Sequence, residues 1–193
     1  MNLENYQPDG EYHFLNKAYP GLEWIHKNPN LFIVRNFLTD KECDDIINIM
    51  KDKKMVNAYI SGGLQDIDYR KCLTKTIFKR SPEFDYFKNF REKVKSLTNV
   101  QENQLEVTNL TRYMGDENYF KKHKDAYDYG FGFRNGYTSK EVYNRVVTTI
   151  VYLNDVNYGG ETRFNDINID IKPEKGMALL FFPGLLPTSK KNP

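Results

Sequence analysis

From Leu105 onward the chain breaks into short apolar or alternating runs, each closed by a Gly-, Asn- or Asp-rich turn. Leu105 to Tyr113, Tyr119 to Asp125, Arg145 to Leu153, Glu161 to Phe164, Asn168 to Ile171 and Met177 to Phe182 all read as strands. Strands this short and this closely spaced build a small sandwich or barrel. An aromatic share of 15% suits strand faces and ligand pockets alike. Between the second and third runs lies a longer, Gly-punctuated segment, Tyr127 to Tyr143. A loop of that length in a small domain is either a functional lid or a mobile, solvated excursion.

Upstream, the apolar period changes. Thr39-Asp40-Lys41-Glu42 is a capping box, and Cys43, Ile46, Ile47 and Met50 follow at the spacing of one helical face. A second helix is predicted to open at Ser81, with Pro82 in its first turn, where the missing amide donor costs nothing. Phe87, Phe90, Val94 and Leu97 form its buried stripe. Leu31 to Val34 reads as a short buried strand, Ser61-Gly62-Gly63 as a turn, and Tyr69 to Phe78 as strand-like. Residues 1–30, with Pro8, Pro20 and Pro29, are expected to form an irregular arm, and residues 31–193 one domain. The expected class is α+β, mainly β, with the helices ahead of the β core.

The chain has 193 residues, enough for one domain with a real core. Its 28 Lys and Arg against 26 Asp and Glu leave a net charge of +2, which argues against coating nucleic acid or anionic membrane. Cys43 and Cys72 are too few for a disulfide scaffold or a cysteine zinc site and read as reduced thiols. Met1 to Gly10 lacks the basic and apolar parts of a signal peptide. No run approaches the roughly 20 apolar residues of a membrane helix. A cytoplasmic location is the expectation.

Histidine is scarce: His13, His26 and His123. Only His123 has a chemically useful neighbour, Asp125, two residues on. On a strand these two side chains share a face, and one nitrogen with one carboxylate ligand makes two thirds of a facial triad for a first-row metal. By spacing alone the favoured reading of the pair is a surface histidine beside a solvated aspartate among Lys121, Lys122 and Lys124.

Taken in order, several blocks together resemble the prolyl 4-hydroxylase branch of the Fe(II)- and 2-oxoglutarate-dependent dioxygenases. They are Arg112-Tyr113, the turn at Gly115, His123-x-Asp125, Arg145 to Thr148, Tyr152 to Asp155, Gly159-Gly160-Glu161-Thr162-x-Phe164 and Gly176 to Phe181. The resemblance runs over roughly residues 30 to 187. It implies a double-stranded β-helix, or jelly roll, with the metal at one open end. His123 and Asp125 match the first two iron ligands, Tyr113 a tyrosine lining the 2-oxoglutarate site, and Thr148 a threonine on the strand beneath it. The implied cofactors are Fe(II), 2-oxoglutarate and O2, with ascorbate as reductant. The implied substrate is a peptide or protein. Phe120 and Arg134 are candidate substrate contacts, and the Tyr127 to Tyr143 segment a candidate lid.

Two departures accompany the resemblance. The family's third ligand, a second histidine, and the Lys or Arg about ten residues beyond it that grips the distal carboxylate of 2-oxoglutarate have no counterpart before Pro193. The expectation is a domain incomplete at its C-terminus. A naturally short, inactive protein and a substitute ligand from His13 or His26 are the alternatives. Loss of the last strands would expose sheet edges, to be covered by the N-terminal arm or by self-association. The interval from Tyr113 to His123 is also about one residue longer than in the family, with Phe120 where many relatives carry tyrosine and Tyr119 next to it. The expected activity is prolyl 4-hydroxylation of a peptide. The competing readings are an inactive jelly-roll interaction module and a dioxygenase acting on a free amino acid or nucleic acid.

Overall fold

The computed structural model describes residues 15–60, 63–126 and 145–183, and the backbone alone at 133–134 and 137–138. In chain order the elements are β1 (Leu22–Lys27), β2 (Asn30–Val34), α1 (Asp40–Met50), β3 (Val56–Asn57), β4 (Arg70–Lys71), β5 (Leu73–Ile77), α2 (Lys88–Thr98), β6 (Thr108–Arg112), β7 (Tyr119–Phe120), β8 (Phe133–Arg134), β9 (Tyr137–Thr138), β10 (Thr148–Val151), β11 (Thr162–Phe164), β12 (Ile169–Ile171) and β13 (Ala178–Phe181). The largest sheet is antiparallel in the order β1-β2-β13-β10, so β2, itself paired with β1, pairs with the last described strand. Smaller sheets join β3-β5-β6, β4-β7, β8-β9 and β11-β12.

Alternation along β2 and β13 sorts their side chains onto two faces. Phe32, Val34, Ala178 and Leu180 join α1 and α2 in the larger core, with Leu38, Cys43, Met50 and Leu97. Ile33, Met177 and Leu179 point the other way and pack with Ile150, Phe164 and Ile171 from the β10 and β11-β12 side. The central sheet therefore carries helices on one face and a small hairpin on the other.

Two expectations change. Leu22–Lys27 belongs to β1 and is not part of an irregular arm, because Leu22 and Trp24 alternate into the core between turns at Pro20 and Pro29. The helices consequently do not precede the whole β core: β1 and β2 come first and supply half of the main sheet. The far edge of β13 is covered by β2, through Leu31–Val34. Among the described residues the edges of that sheet are β1 and β10.

The capping box at α1 forms as its sequence dictates: Thr39 Oγ1 accepts from the Glu42 N–H, and the Glu42 carboxylate accepts from the Thr39 N–H. The helix at Pro82 opens later than predicted. Ser81 Oγ accepts from the Phe78 N–H behind it, a 3-10 turn occupies Phe84–Phe87, and α2 starts at Lys88. Among the described residues no helix is long and apolar enough to cross a membrane.

Glu42 has a second task, for Lys93 Nζ reaches both its oxygens, at 2.6 and 2.7 Å, and ties α2 to the start of α1. Burial pushes the Glu42 carboxyl up, but the Lys93 and Thr39 hydrogen bonds together outweigh it and hold the pKa below the ordinary carboxylate value. Because the folded pKa is the lower one, this stabilisation is present above the unfolded pKa and fades as pH falls through the folded value. Glu42→Gln is expected to cost about 1–2 kcal/mol at neutral pH and nearly nothing well below the folded pKa, read from urea unfolding at the two pH values.

Candidate metal centre

β7 pairs with β4 for only two positions, Lys71 with Tyr119 and Arg70 with Phe120. The Lys121 N–H still donates to Tyr69 O, but β4 begins at Arg70 and the ladder ends there. The predicted strand through Asp125 is therefore shorter than expected, and residues 121–126 are not strand. The juxtaposition of His123 and Asp125 comes from a turn and from what holds each side chain, not from the same-face rule of strands.

That juxtaposition is close: His123 Nε2 lies 3.2 Å from Asp125 Oδ1. His123 Nδ1 sits 2.8 Å from Lys121 O. A carbonyl oxygen only accepts, so Nδ1 carries its hydrogen and Nε2 is left facing the carboxylate. On a neutral ring that nitrogen presents a lone pair to an anionic oxygen. Two acceptors converging this way are satisfied by a cation between or beside them, whether a proton or a metal ion. Asp125 is held from its other oxygen, where Thr148 Oγ1 at the start of β10 donates to Oδ2 at 2.8 Å.

The electrostatics agree with the geometry. Burial pulls the His123 pKa down, but Asp125 and the Lys121 carbonyl outweigh it and raise it above the ordinary value. Burial pushes Asp125 up, while the bonds from His123 and Thr148 hold it below the ordinary value. Among the described residues no group of three His, Cys, Asp or Glu is placed to hold a metal ion. His26 is bonded through Nδ1 to Pro29 O at 2.7 Å, on the β1-β2 hairpin, and joins no such group there. His13 lies outside the described residues.

The walls are aromatic and cationic. Phe120 stacks on the His123 ring with centroids 3.6 Å apart, and the Arg70 guanidinium carbon lies 4.4 Å from the Phe120 centroid. Arg70 Nη1 donates to Tyr59 O, while its buried Nε has no hydrogen-bond partner among the described residues. Tyr113 follows β6; its pKa is pushed up to about 12, by burial first and then by the Cys72 thiol with which it shares a hydrogen bond. The residue nonetheless keeps 49% of its surface in solvent. Tyr152, also raised by burial, exchanges a 2.7 Å hydrogen bond with Thr162.

Four of the six residues singled out from the sequence, Phe120, His123, Asp125 and Thr148, are linked in this region by the contacts above. Tyr113 stands beside Cys72, the residue that follows β4. The Thr148 hydroxyl, on the strand that the resemblance places beneath the 2-oxoglutarate site, donates to Asp125. Arg134 is described in backbone only, paired with Tyr137 between β8 and β9. The Tyr127 to Tyr143 lid otherwise lies outside the described residues. Sequence reading assigned no role to Arg70, Cys72, Glu106 or Arg145. Their partners lie far along the chain, and only Arg145 fell inside one of the blocks that carry the resemblance.

Residues 108–188 match the family described as the 2OG-Fe(II) oxygenase superfamily. The probable prolyl 4-hydroxylase 11 of Arabidopsis thaliana is 27% identical over 191 residues, covering 89% of this chain and 62% of its own length. The probable prolyl 4-hydroxylase 6 of the same plant is 29% identical, covering 83% and 59%. The putative prolyl 4-hydroxylase of Acanthamoeba polyphaga mimivirus is 26% identical, covering 86% and 65%. The chain thus spans about 60% of the length of these curated relatives. Among solved structures, the viral collagen prolyl hydroxylase of Paramecium Bursaria Chlorella virus-1, in its 2OG complex, superposes with a TM-score of 0.54 at 22% identity, over 79% of this chain and 76% of that one. In sequence and in fold, the chain is similar to the prolyl 4-hydroxylase-like branch of the 2OG-Fe(II) oxygenases.

Proposed function

We propose that this protein is an Fe(II)- and 2-oxoglutarate-dependent dioxygenase that 4-hydroxylates proline in a peptide, with a double-stranded β-helix as its core. The observation that carries the reading is the convergence of His123 Nε2 and Asp125 Oδ1 at 3.2 Å. The donor set, one imidazole nitrogen and one carboxylate, suits Fe(II). When bound, Fe(II) and 2-oxoglutarate supply an oxidation in which one atom of O2 enters succinate, the other enters the substrate, and carbon dioxide leaves.

The chain's own residues orient and shield. Lys121 O fixes the His123 tautomer, Thr148 fixes Asp125, and Phe120 covers one side of the imidazole. Tyr113, with its pKa pushed up to about 12, stays protonated at neutral pH and is a hydrogen-bond donor for a carboxylate of 2-oxoglutarate. Arg134 is the proposed contact for the peptide. Ascorbate is the proposed reductant.

The test is aerobic incubation of the natively produced protein with Fe(II), 2-oxoglutarate, ascorbate and a proline-rich peptide. Succinate and a peptide heavier by one oxygen, at proline, are expected. Succinate release stimulated by a nucleotide or a free amino acid but not by the peptide would move the reading to another substrate. In the same assay Tyr113→Phe is expected to raise the KM for 2-oxoglutarate about 10-fold or more, as for loss of a hydrogen bond to a charged group worth roughly 1.5–3 kcal/mol. An unchanged KM removes Tyr113 from the 2-oxoglutarate site.

A further inference from the structure

Asp125 lies outside any strand, so no ladder of backbone hydrogen bonds fixes the residue whose carboxylate must meet His123. Thr148 holds one carboxylate oxygen, but a side-chain bond alone leaves the main chain free to shift. The main chain is held by an arginine: Arg145 Nη1 donates to Asp125 O at 3.3 Å. At that distance the contact is a long one, and its strength depends on how firmly the guanidinium is placed.

The guanidinium, about a third exposed, is oriented by a bidentate partner. Glu106 grips it fork to fork, Oε1 accepting from Nε at 2.7 Å and Oε2 from Nη2 at 3.0 Å. Two parallel charge-assisted bonds fix the plane as well as the position, which a lysine ammonium cannot reproduce. Glu106 in turn is anchored through its own carbonyl, which accepts from Arg91 Nη1 at 2.9 Å. Arg91 sits on α2, is only 5% exposed, and is locked by Glu102 Oε1 at 2.9 Å and Thr108 Oγ1 at 3.1 Å. A continuous line of hydrogen bonds therefore runs from a buried helix residue to the carbonyl of Asp125.

We infer that Arg145 is the positioning residue for Asp125, and that Glu106, seated on Arg91, holds Arg145 in the orientation this needs. The inference rests on the proposed reading of His123 and Asp125 as metal ligands. With the carbonyl pinned by Arg145 and Oδ2 by Thr148, Oδ1 is the oxygen left facing His123 Nε2. A metal pair tolerates only about 0.5 Å of misplacement, so loosening the backbone is felt at the ion.

The test is Mn(II) binding to the full chain, followed by the loss of the free-ion paramagnetic resonance signal, with circular dichroism at the same temperature to show that each variant is folded. Arg145→Gln and Glu106→Gln are each expected to weaken Mn(II) binding about 10- to 100-fold, the usual effect of removing a partner that orients a ligand. The double variant is expected to be no weaker than Arg145→Gln alone, because the two residues act as one unit. Arg145→Lys, which keeps the charge but not the fork, is expected to fail to restore binding. If Arg145→Gln does not fold, Glu106→Gln carries the same test with the guanidinium still present. Mn(II) affinity within about twofold of wild type in the folded Gln variants, with binding lost in His123→Ala, overturns the positioning role and leaves the metal reading intact. Unchanged affinity in His123→Ala overturns both.

Discussion

Gly176→Ala is expected to destabilise the protein by several kcal/mol, a large part of the roughly 5–15 kcal/mol that holds a domain folded. Gly176 has φ of 77°, and an added Cβ would lie 2.2 Å from Leu38 O and 3.3 Å from Leu38 C. The left-handed backbone by itself costs a non-glycine residue about 1–3 kcal/mol. The overlap with Leu38 costs more, because what it meets is backbone that cannot turn aside. Leu38 is 2% exposed, its N–H donates to Gly176 O at 3.0 Å, and the capping box of α1 begins at the next residue. Relief of the clash requires moving α1 away from the start of β13, which opens the larger core. Gly159→Ala is the control: φ is 68° and nothing lies within 4 Å of the added carbon, so only the backbone cost of about 1–3 kcal/mol is expected. Urea unfolding of the two variants decides the matter, and equal losses would refute the steric argument.

Removal of either converging side chain is expected to have the largest functional effect. His123→Ala deletes the nitrogen donor, and Asp125→Ala the oxygen donor, each leaving a single described ligand where two converged at 3.2 Å. Divalent-metal binding and any succinate formation are expected to fall by more than about 100-fold in both, beyond the 10- to 100-fold of an orienting partner. Asp125→Asn separates charge from shape. Its carboxamide keeps an oxygen that Thr148 can reach but lacks the charge, so binding is expected to stay nearly as weak as in Asp125→Ala. Wild-type metal affinity in Asp125→Asn would show that the carboxylate charge is not what holds the ion.

Much of the fold was legible because its signals are local. The capping box and the apolar face of α1 are written within a dozen residues, and the apolar runs of β2 and β13 announce buried strands. What failed did so for reasons of long-range pairing. β1 alternates over too few residues between two prolines to declare itself, and its strand character is completed by β2. β7 stops at Phe120 because its partner β4 offers two positions, something nothing near His123 could reveal. The start of α2 moved because Ser81 turned its hydroxyl back to Phe78 and left the following amides uncapped by it.

The site divides the same way. His123 and Asp125 stood out because histidine is scarce and their spacing is short. The strand argument that paired them was wrong in its geometry, and the pair forms through a turn braced by Lys121 O and Thr148. The line from Arg91 through Glu106 to Arg145 was invisible, since its members are separated by 15 and 39 residues in sequence and are joined only by folding.

The central claim, that His123 and Asp125 hold a metal to which 2-oxoglutarate adds, is met most directly by anaerobic calorimetric titration of the chain with Fe(II), with and without 2-oxoglutarate. The expected result is one Fe(II) site that tightens when 2-oxoglutarate is present and disappears in Asp125→Ala. Fe(II) binding of equal strength in wild type and Asp125→Ala, indifferent to 2-oxoglutarate, would contradict it.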